Sequence, residues 1–430
     1  MAGPNNTTAA SQIAIMLQQV QEDIETTQNL DETLDRLFAP VTSADMSTEK
    51  YRHPINYDVG GQMGGYVPDG GAYFQGTGPG YNQFIVVPFC LMIAFAATEL
   101  LMRISGGGEK LSTVNPVSRM VSKAKSKAAH SRNALAQGYN QGLLGTVDTS
   151  YAGGTVVQMA NIPFGARLLD INNQYQVTDA NFNVVGIQTV LDKTQSLAGG
   201  IDTVTLDGVP NGFAAGYQFI PINLASGAPL GPQGLQYMVS PSNLGDMDSI
   251  DRNTSWIQAA AFNANTGTLT LGVIEGISVR QEMNLGTNQD ADGERVYYTN
   301  IAHRTSARML GFAKTTFMSN DGKAMEVDIA PKRKGRWTIG DQIVEIDTMA
   351  AMDKVYDLAK NTLRKVRYPG SQKFLEGPLK GLWWPRIFNG QWTSESDLLY
   401  QDSYNFYTKL PWKNAVAHNL GINPLFANAA

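Results

Sequence analysis

The sequence predicts an α+β protein, and three observations lead there. Apolar residues recur at helical spacing in two stretches, 9–38 and 109–144. Short alternating or apolar runs, broken by Gly, Pro, Asn and Asp, crowd residues 155–223. Between the two helical stretches lies a glycine-rich, aromatic loop, 52–83, that fits neither pattern. No period of 20–50 residues repeats.

The first helical stretch is acidic. Ile13, Met16, Leu17, Val20 and Ile24 form a stripe that Leu30, Leu34 and Leu37 resume, while Glu22, Asp23, Glu25, Asp31, Glu32 and Asp35 lie mostly off it. Pro40 ends it. Such a helix either packs on its own domain or reaches a neighbour. In the loop that follows, Gly60, Gly61, Gly64, Gly65, Gly70, Gly71, Gly76, Gly78 and Gly80 alternate with Tyr57, Tyr66, Tyr73, Phe74 and Tyr81. Glycine at this density opposes a compact helix. Linkers are normally polar, and aromatic rings on an excursion need a surface to bury them. The expectation is a two-stranded arm laid on another subunit, with a loop covering its own core as the alternative.

Residues 84–98 carry no charge. A membrane span needs about 20 apolar residues. This run is shorter and contains Pro88, so strand over 84–87, a further extended stretch and a short amphipathic helix near 98–104 are expected. In the second helical stretch, Val117, Met120, Val121, Ala124, Ala128 and Leu135 form the apolar stripe. Asn115-Pro116 is a suitable start, and Gly142 and Gly145 bracket the end. Arg119, Lys123 and Lys127 share a face, and Lys125, His130 and Arg132 extend the positive surface. Such a face is ordinarily solvated; turned inward, it would meet DNA phosphates.

Over 155–223, runs at 155–160, 166–171, 174–178, 183–191, 202–208 and 217–222 predict a small barrel or sandwich. Further strands are expected at 267–273, 295–299, 342–346, 355–358, 363–366 and 405–410, with a helix at 301–312. Trp383, Trp384, Trp392 and Trp412 read as buried anchors at a domain or subunit boundary.

Composition narrows the function. A formal charge of −5 argues against a protein held to nucleic acid by bulk electrostatics. The lone Cys90 forms no internal disulfide and cannot complete a zinc site with His53, His130, His303 and His418, which are not paired in sequence. No signal peptide is visible at the start. The glycines at 76–80 and 106–108 lack dinucleotide-fold and P-loop spacing. Asn288, Asp290, Asp292 and Gly293 begin like a calcium loop, but its twelfth position is Thr299 rather than Glu. No nucleophile elbow occurs, and no carboxylates pair in sequence. The basic cluster at 331–336 reads as a solvated loop. No enzymatic activity and no cofactor are expected.

The order of parts, namely helical arm, extended loop, long helix, β-rich middle and late returning strands, resembles the major capsid proteins of tailed bacteriophages. Several short segments carry the resemblance. Asn140-Gln141-Gly142-Leu143-Leu144-Gly145 resembles the exit of their spine helix, and residues 250–256 resemble a turn ending in tryptophan. Residues 296–300 and the following helix look like the A-domain strand and helix; 354–358 resembles a late strand of that domain, and 203–206 and 215–218 an inserted β-subdomain. The resemblance implies the phage capsid (Johnson) fold. Its expected division is an N-arm at 1–48, an E-loop at 49–83, a P-domain with spine helix at 84–145, an A-domain at 146–354 with a β-rich insertion at about 153–223, and returning strands at 355–430.

The resemblance also implies self-assembly into hexamers and pentamers of an icosahedral shell around double-stranded DNA, with the DNA contacted non-specifically. Scaffolding, portal and decoration proteins are implied as partners, with no membrane. The place implied is the virion, assembled in the host bacterial cytoplasm. Some capsids of this fold crosslink through an E-loop lysine; residues 51–83 contain none, so the expected grip is noncovalent. About 50 residues precede the loop, too few for a cleaved scaffold segment, so a separate scaffold is expected. An encapsulin-like protein compartment and a surface protein anchored by 84–102 are the alternatives.

Overall fold

The structure is a computed structural model that describes residues 33–41, 50–58, 78–98, 116–139, 142–196, 201–210, 212–222, 231–240, 247, 250, 258–285, 294–313, 337–339, 342–368, 371–375, 383–388 and 391–422. The elements are α1 (Thr33–Leu37), β1 (Ala39–Pro40), β2 (Tyr51–Asp58), β3 (Gly80–Val86), β4 (Phe89–Thr98), α2 (Pro116–Gln137), β5 (Gly145–Thr146), β6 (Val156–Met159), β7 (Gln174–Thr178), β8 (Val184–Thr194), β9 (Asp202–Leu206) and β10 (Gln218–Ile220). There follow α3 (Leu235–Met238), β11 (Ala260–Asn263), α4 (Leu271–Leu285), β12 (Arg295–Asn300), α5 (Arg304–Ala313), β13 (Trp337–Ile339), β14 (Gln342–Asp347), β15 (Val355–Ala359), β16 (Leu363–Arg367), β17 (Lys373–Phe374), β18 (Trp383–Phe388), β19 (Gln391–Thr408) and β20 (Ala415–His418).

These strands make three six-stranded sheets and one ribbon, so the α+β expectation holds. The first sheet is built on β19. Residues 404–408 pair with β16, 400–401 with β17 and 391–398 with β18, while β4 runs antiparallel along 395–404. The second sheet, in the order β5-β10-β7-β8-β9-β6, is the predicted β-rich insertion. The third, β11-β20-β15-β12-β14-β13, is mixed: β12 pairs parallel with β14 and antiparallel with β15. Every residue of β12 and of β15 is buried, which marks strands covered on both faces.

Helix α2 is the packing hub. Ala124 and Ala128 lie against Tyr400 of the first sheet, Ala134 and Leu135 against the β-rich sheet, and Ala136 against the cluster of Tyr298, Tyr356 and Phe406. Alanine at these positions costs little helix propensity and lets sheets approach the axis closely. Where the chain leaves this helix, Gly138 and Gly234 pass so near that a Cβ on Gly234 would stand 2.1 Å from the Gly138 carbonyl oxygen.

Four sequence expectations change. Residues 267–273 are not a strand: a turn leads into α4, which buries Val273, Ile274 and Ile277 at helical spacing. Gly276 makes room for the Phe262 ring, which a Cβ would meet at 2.3 Å. Residues 166–171 form turns and irregular chain rather than strand, because the Asp202 carboxylate takes the Ala166 N–H at 2.9 Å. The 109–144 helix is described from 116 to 137. The uncharged run 84–98 forms β3 and β4, so Thr98 ends a strand instead of opening a helix, and the rest of the expected 98–104 helix lies outside the described residues. Among the described residues no helix is long and apolar enough to cross a membrane. The 9–38 helix is described only as α1; Pro40 ends it by entering β1, which pairs with β16.

Candidate assembly elements

At the expected E-loop, 49–83, β2 and β3 form a two-stranded antiparallel ribbon. Tyr51 pairs with Val86 and Asn56 with Tyr81, and the register slips between Asn56 and Asp58. Its root is anchored twice. Tyr51 and Val86 pack on Val366 and Tyr407, with the Tyr407 hydroxyl 2.9 Å from that of Tyr51. Ile55 and Phe84 pack with Ile250 and Trp412. Away from the root, Tyr81 leaves 69% of its surface exposed. Tyr57 lies on β2, while Gly60, Gly61, Tyr66, Tyr73 and Phe74 fall outside the described residues.

The expected basic face separates into parts. Arg119 and Lys123 lie on the first turns of α2. Lys127 is committed elsewhere: its ammonium is 2.5 Å from Asp170, which also accepts from His130 Nε2 at 3.2 Å. Burial alone would raise the Asp170 pKa, but hydrogen bonding to His130 and the Lys127 charge hold it well below the usual carboxylate range. His130 and Arg132 do not extend a solvated surface, since only 3% and 5% of their surface is exposed.

Arg132 is the centre of a buried ion network. Its Nε and Nη2 both donate to Asp35, each at 3.1 Å, and its Nη1 donates to Asp402. Lys365 Nζ donates to Asp35 Oδ1 at 2.8 Å, and the Arg132 guanidinium lies 5.9 Å from the Tyr404 ring centre. Burial pushes Lys365 down to about 8 despite the attraction of Asp35. Burial works to raise Asp35, but the Arg132 hydrogen bond and the charges of Lys365 and Arg132 outweigh it and leave its pKa lowered.

Next in the helix, Asn133 Oδ1 accepts from the backbone N–H of Leu34 and Asp35 at 2.8 and 3.1 Å, so α2 caps the first turn of α1. Asn133 Nδ2, Gln137 Nε2 and the Tyr298 hydroxyl converge on Asp347 at 3.1, 3.2 and 2.6 Å. One face of α2 thus holds the arm helix, the long strand β19 and the third sheet together. None of this was apparent in the sequence, where Asp35 read as a solvent-facing acid and Arg132 as a surface charge. Their partners lie 97 to 330 residues apart.

The same architecture occurs in solved shells. The cyanophage A-1(L) capsid asymmetric unit matches with a TM-score of 0.52 at 10% identity, covering 94% of this chain and 96% of that one. The capsid of the native GTA particle computed with C5 symmetry matches at 0.49, with 10% identity and coverage of 94% and 95%. The holo-SrpI encapsulin complex from Synechococcus elongatus matches at 0.45, with 8% identity and coverage of 95% of each chain. No family model matches the chain, and no curated protein matches it in sequence. At such identity the likeness is one of fold. Over nearly its whole length the chain has the phage capsid (Johnson) fold, as the sequence segments implied.

Proposed function

We propose that this chain is the major capsid protein of a tailed bacteriophage, a structural subunit that assembles into an icosahedral shell around double-stranded DNA. The observation that carries the reading is the end-to-end match to a phage capsid subunit, with 94% and 96% of the two chains covered. The anchored ribbon, with Tyr81 exposed beyond its root, supports it. The subunits form hexamers and pentamers through the A-domain, 146–354, and the E-loop, 49–83, overlaps a neighbour. Many modest contacts summed over a closed shell give stability without strong pairwise affinity.

On this reading the chain performs no catalysis and its place is the virion, filled after assembly in the host bacterial cytoplasm. Scaffolding and portal proteins act with it, and the DNA is contacted without sequence readout. Arg119 and Lys123 remain the candidates for contact with DNA, because Lys127 pairs with Asp170. An encapsulin-like compartment is the second reading; purified particles that contain a genome separate the two. Deleting residues 60–80 should leave a soluble, folded subunit that no longer closes into shells, as seen by negative-stain microscopy. Normal particles from that deletion would refute the loop's role.

A further inference from the structure

A cavity of about 410 Å³ opens where the turns after β11 and β20 meet the turn before β15. Asn263, Asn265, Thr266, Asp353 and Asn419 supply its polar lining, and Ile162 and Leu420 its apolar walls. Backbone hydrogen bonds fasten the turns to one another: Thr266 N to Asn419 O at 2.7 Å, Leu420 N to Asp353 O at 3.0 Å and Gly421 N to Gly267 O at 3.1 Å. The cavity is therefore built before any ligand arrives. Asn419 Nδ2 donates to Asn263 Oδ1 at 3.2 Å, which leaves the Asn419 carbonyl oxygen as an acceptor.

Asp353 is the anomaly. It is only 8% exposed, and its Oδ1 is sealed from solvent with no hydrogen-bond partner. Among the described residues no N–H or O–H reaches this oxygen. His303, which senses its charge, spends Nε2 on the Met352 carbonyl at 2.7 Å. Lys354 also senses the charge but makes no ion pair with it. A buried carboxylate is ordinarily paired with a cation or hydrogen-bonded, because desolvating it alone is costly. A metal ion would call for several oxygen ligands at short range. One carboxylate among side-chain amides, two apolar walls and room for many water volumes suit a larger guest.

We propose that this cavity binds an organic cation, a guanidinium or primary ammonium group on a short aliphatic stem. The head pairs with Asp353 and the Asn419 carbonyl oxygen, and the stem lies between Ile162 and Leu420. The cation is either a free amine or an Arg or Lys side chain of a second copy of this chain. The assignment rests on the cavity and does not depend on the shell reading.

Agmatine titrated into the purified chain by calorimetry, at pH 7 and low salt, tests it. One saturable site is expected, with no heat from 1-butanol. D353N should weaken binding at least tenfold while keeping or raising Tm, since it removes an unpaired buried charge. N419D, which adds a second carboxylate at the rim, should tighten binding severalfold and keeps the test decisive if D353N does not fold. No saturable binding by the parent chain, equal binding by D353N, or unchanged affinity in N419D overturns the proposal. Repeating the titration on assembled particles separates the two sources: a site closed to agmatine means a second copy fills it, and a site still open means the natural guest is a free amine.

Discussion

At the scale of single residues, charge and burial decide what a side chain does. Lys127 shares a helical face with Arg119 and Lys123, yet it ends on Asp170, in the irregular segment 166–171. The pairing has a signature in pH. The folded-state pKa of Asp170 lies below its unfolded value, so its contribution is complete above about pH 4 and is lost as pH falls through the folded value. D170N should therefore cost about 1.5–3 kcal/mol at pH 7, the usual worth of hydrogen bonds to a charged group. In urea titrations the gap between parent and D170N should narrow below pH 4; a gap constant down to pH 2.5 would contradict the assignment. Helical periodicity grouped Lys127 with Arg119 and Lys123 but could not name Asp170, which lies 43 residues on in irregular chain.

Among elements, much of the layout was legible, and the failures have causes. Alternation revealed β7, β8 and β9, and Pro116 marked the described start of α2. Residues 267–273 read as a strand because Leu269, Leu271 and Val273 alternate with Thr and Gly, although the helix α4 begins at Leu271. The length of β19 was missed outside residues 405–408, since polar side chains at 391–397 hide a strand that hairpins with β18 and pairs with β4 from distant sequence. The same separation concealed the Arg132 network. Removing one partner from a buried ion network leaves uncompensated charge and typically costs about 3–5 kcal/mol. R132M should lower the urea midpoint by an amount corresponding to that range, because Asp402 would retain only Gln372 at 3.3 Å and Arg367 at 3.9 Å. A loss below about 1 kcal/mol would mean that α1, α2 and β19 are held by apolar packing instead.

For the molecule as a whole, the shell reading turns on which charges face the interior. R119Q/K123Q should leave Tm unchanged and reduce nuclease-protected DNA per particle, with the deficit largest at low salt and smaller at high salt, where the parent's phosphate contacts weaken too. Equal DNA content at all salt concentrations would exclude these two residues from the packaging surface. The long strand adds a consequence of another kind. At roughly 3.3 Å per residue, the 18 residues of β19 run for about 60 Å without a joint. One end carries the β18 hairpin, where Arg386 grips Asp397 and Glu395, and the other carries Asp402 and Tyr404 beside Arg132. Such a member transmits torque instead of absorbing it: a twist imposed on the hairpin arrives at the arm helix as displacement, so the rim and the centre of the subunit move as one lever.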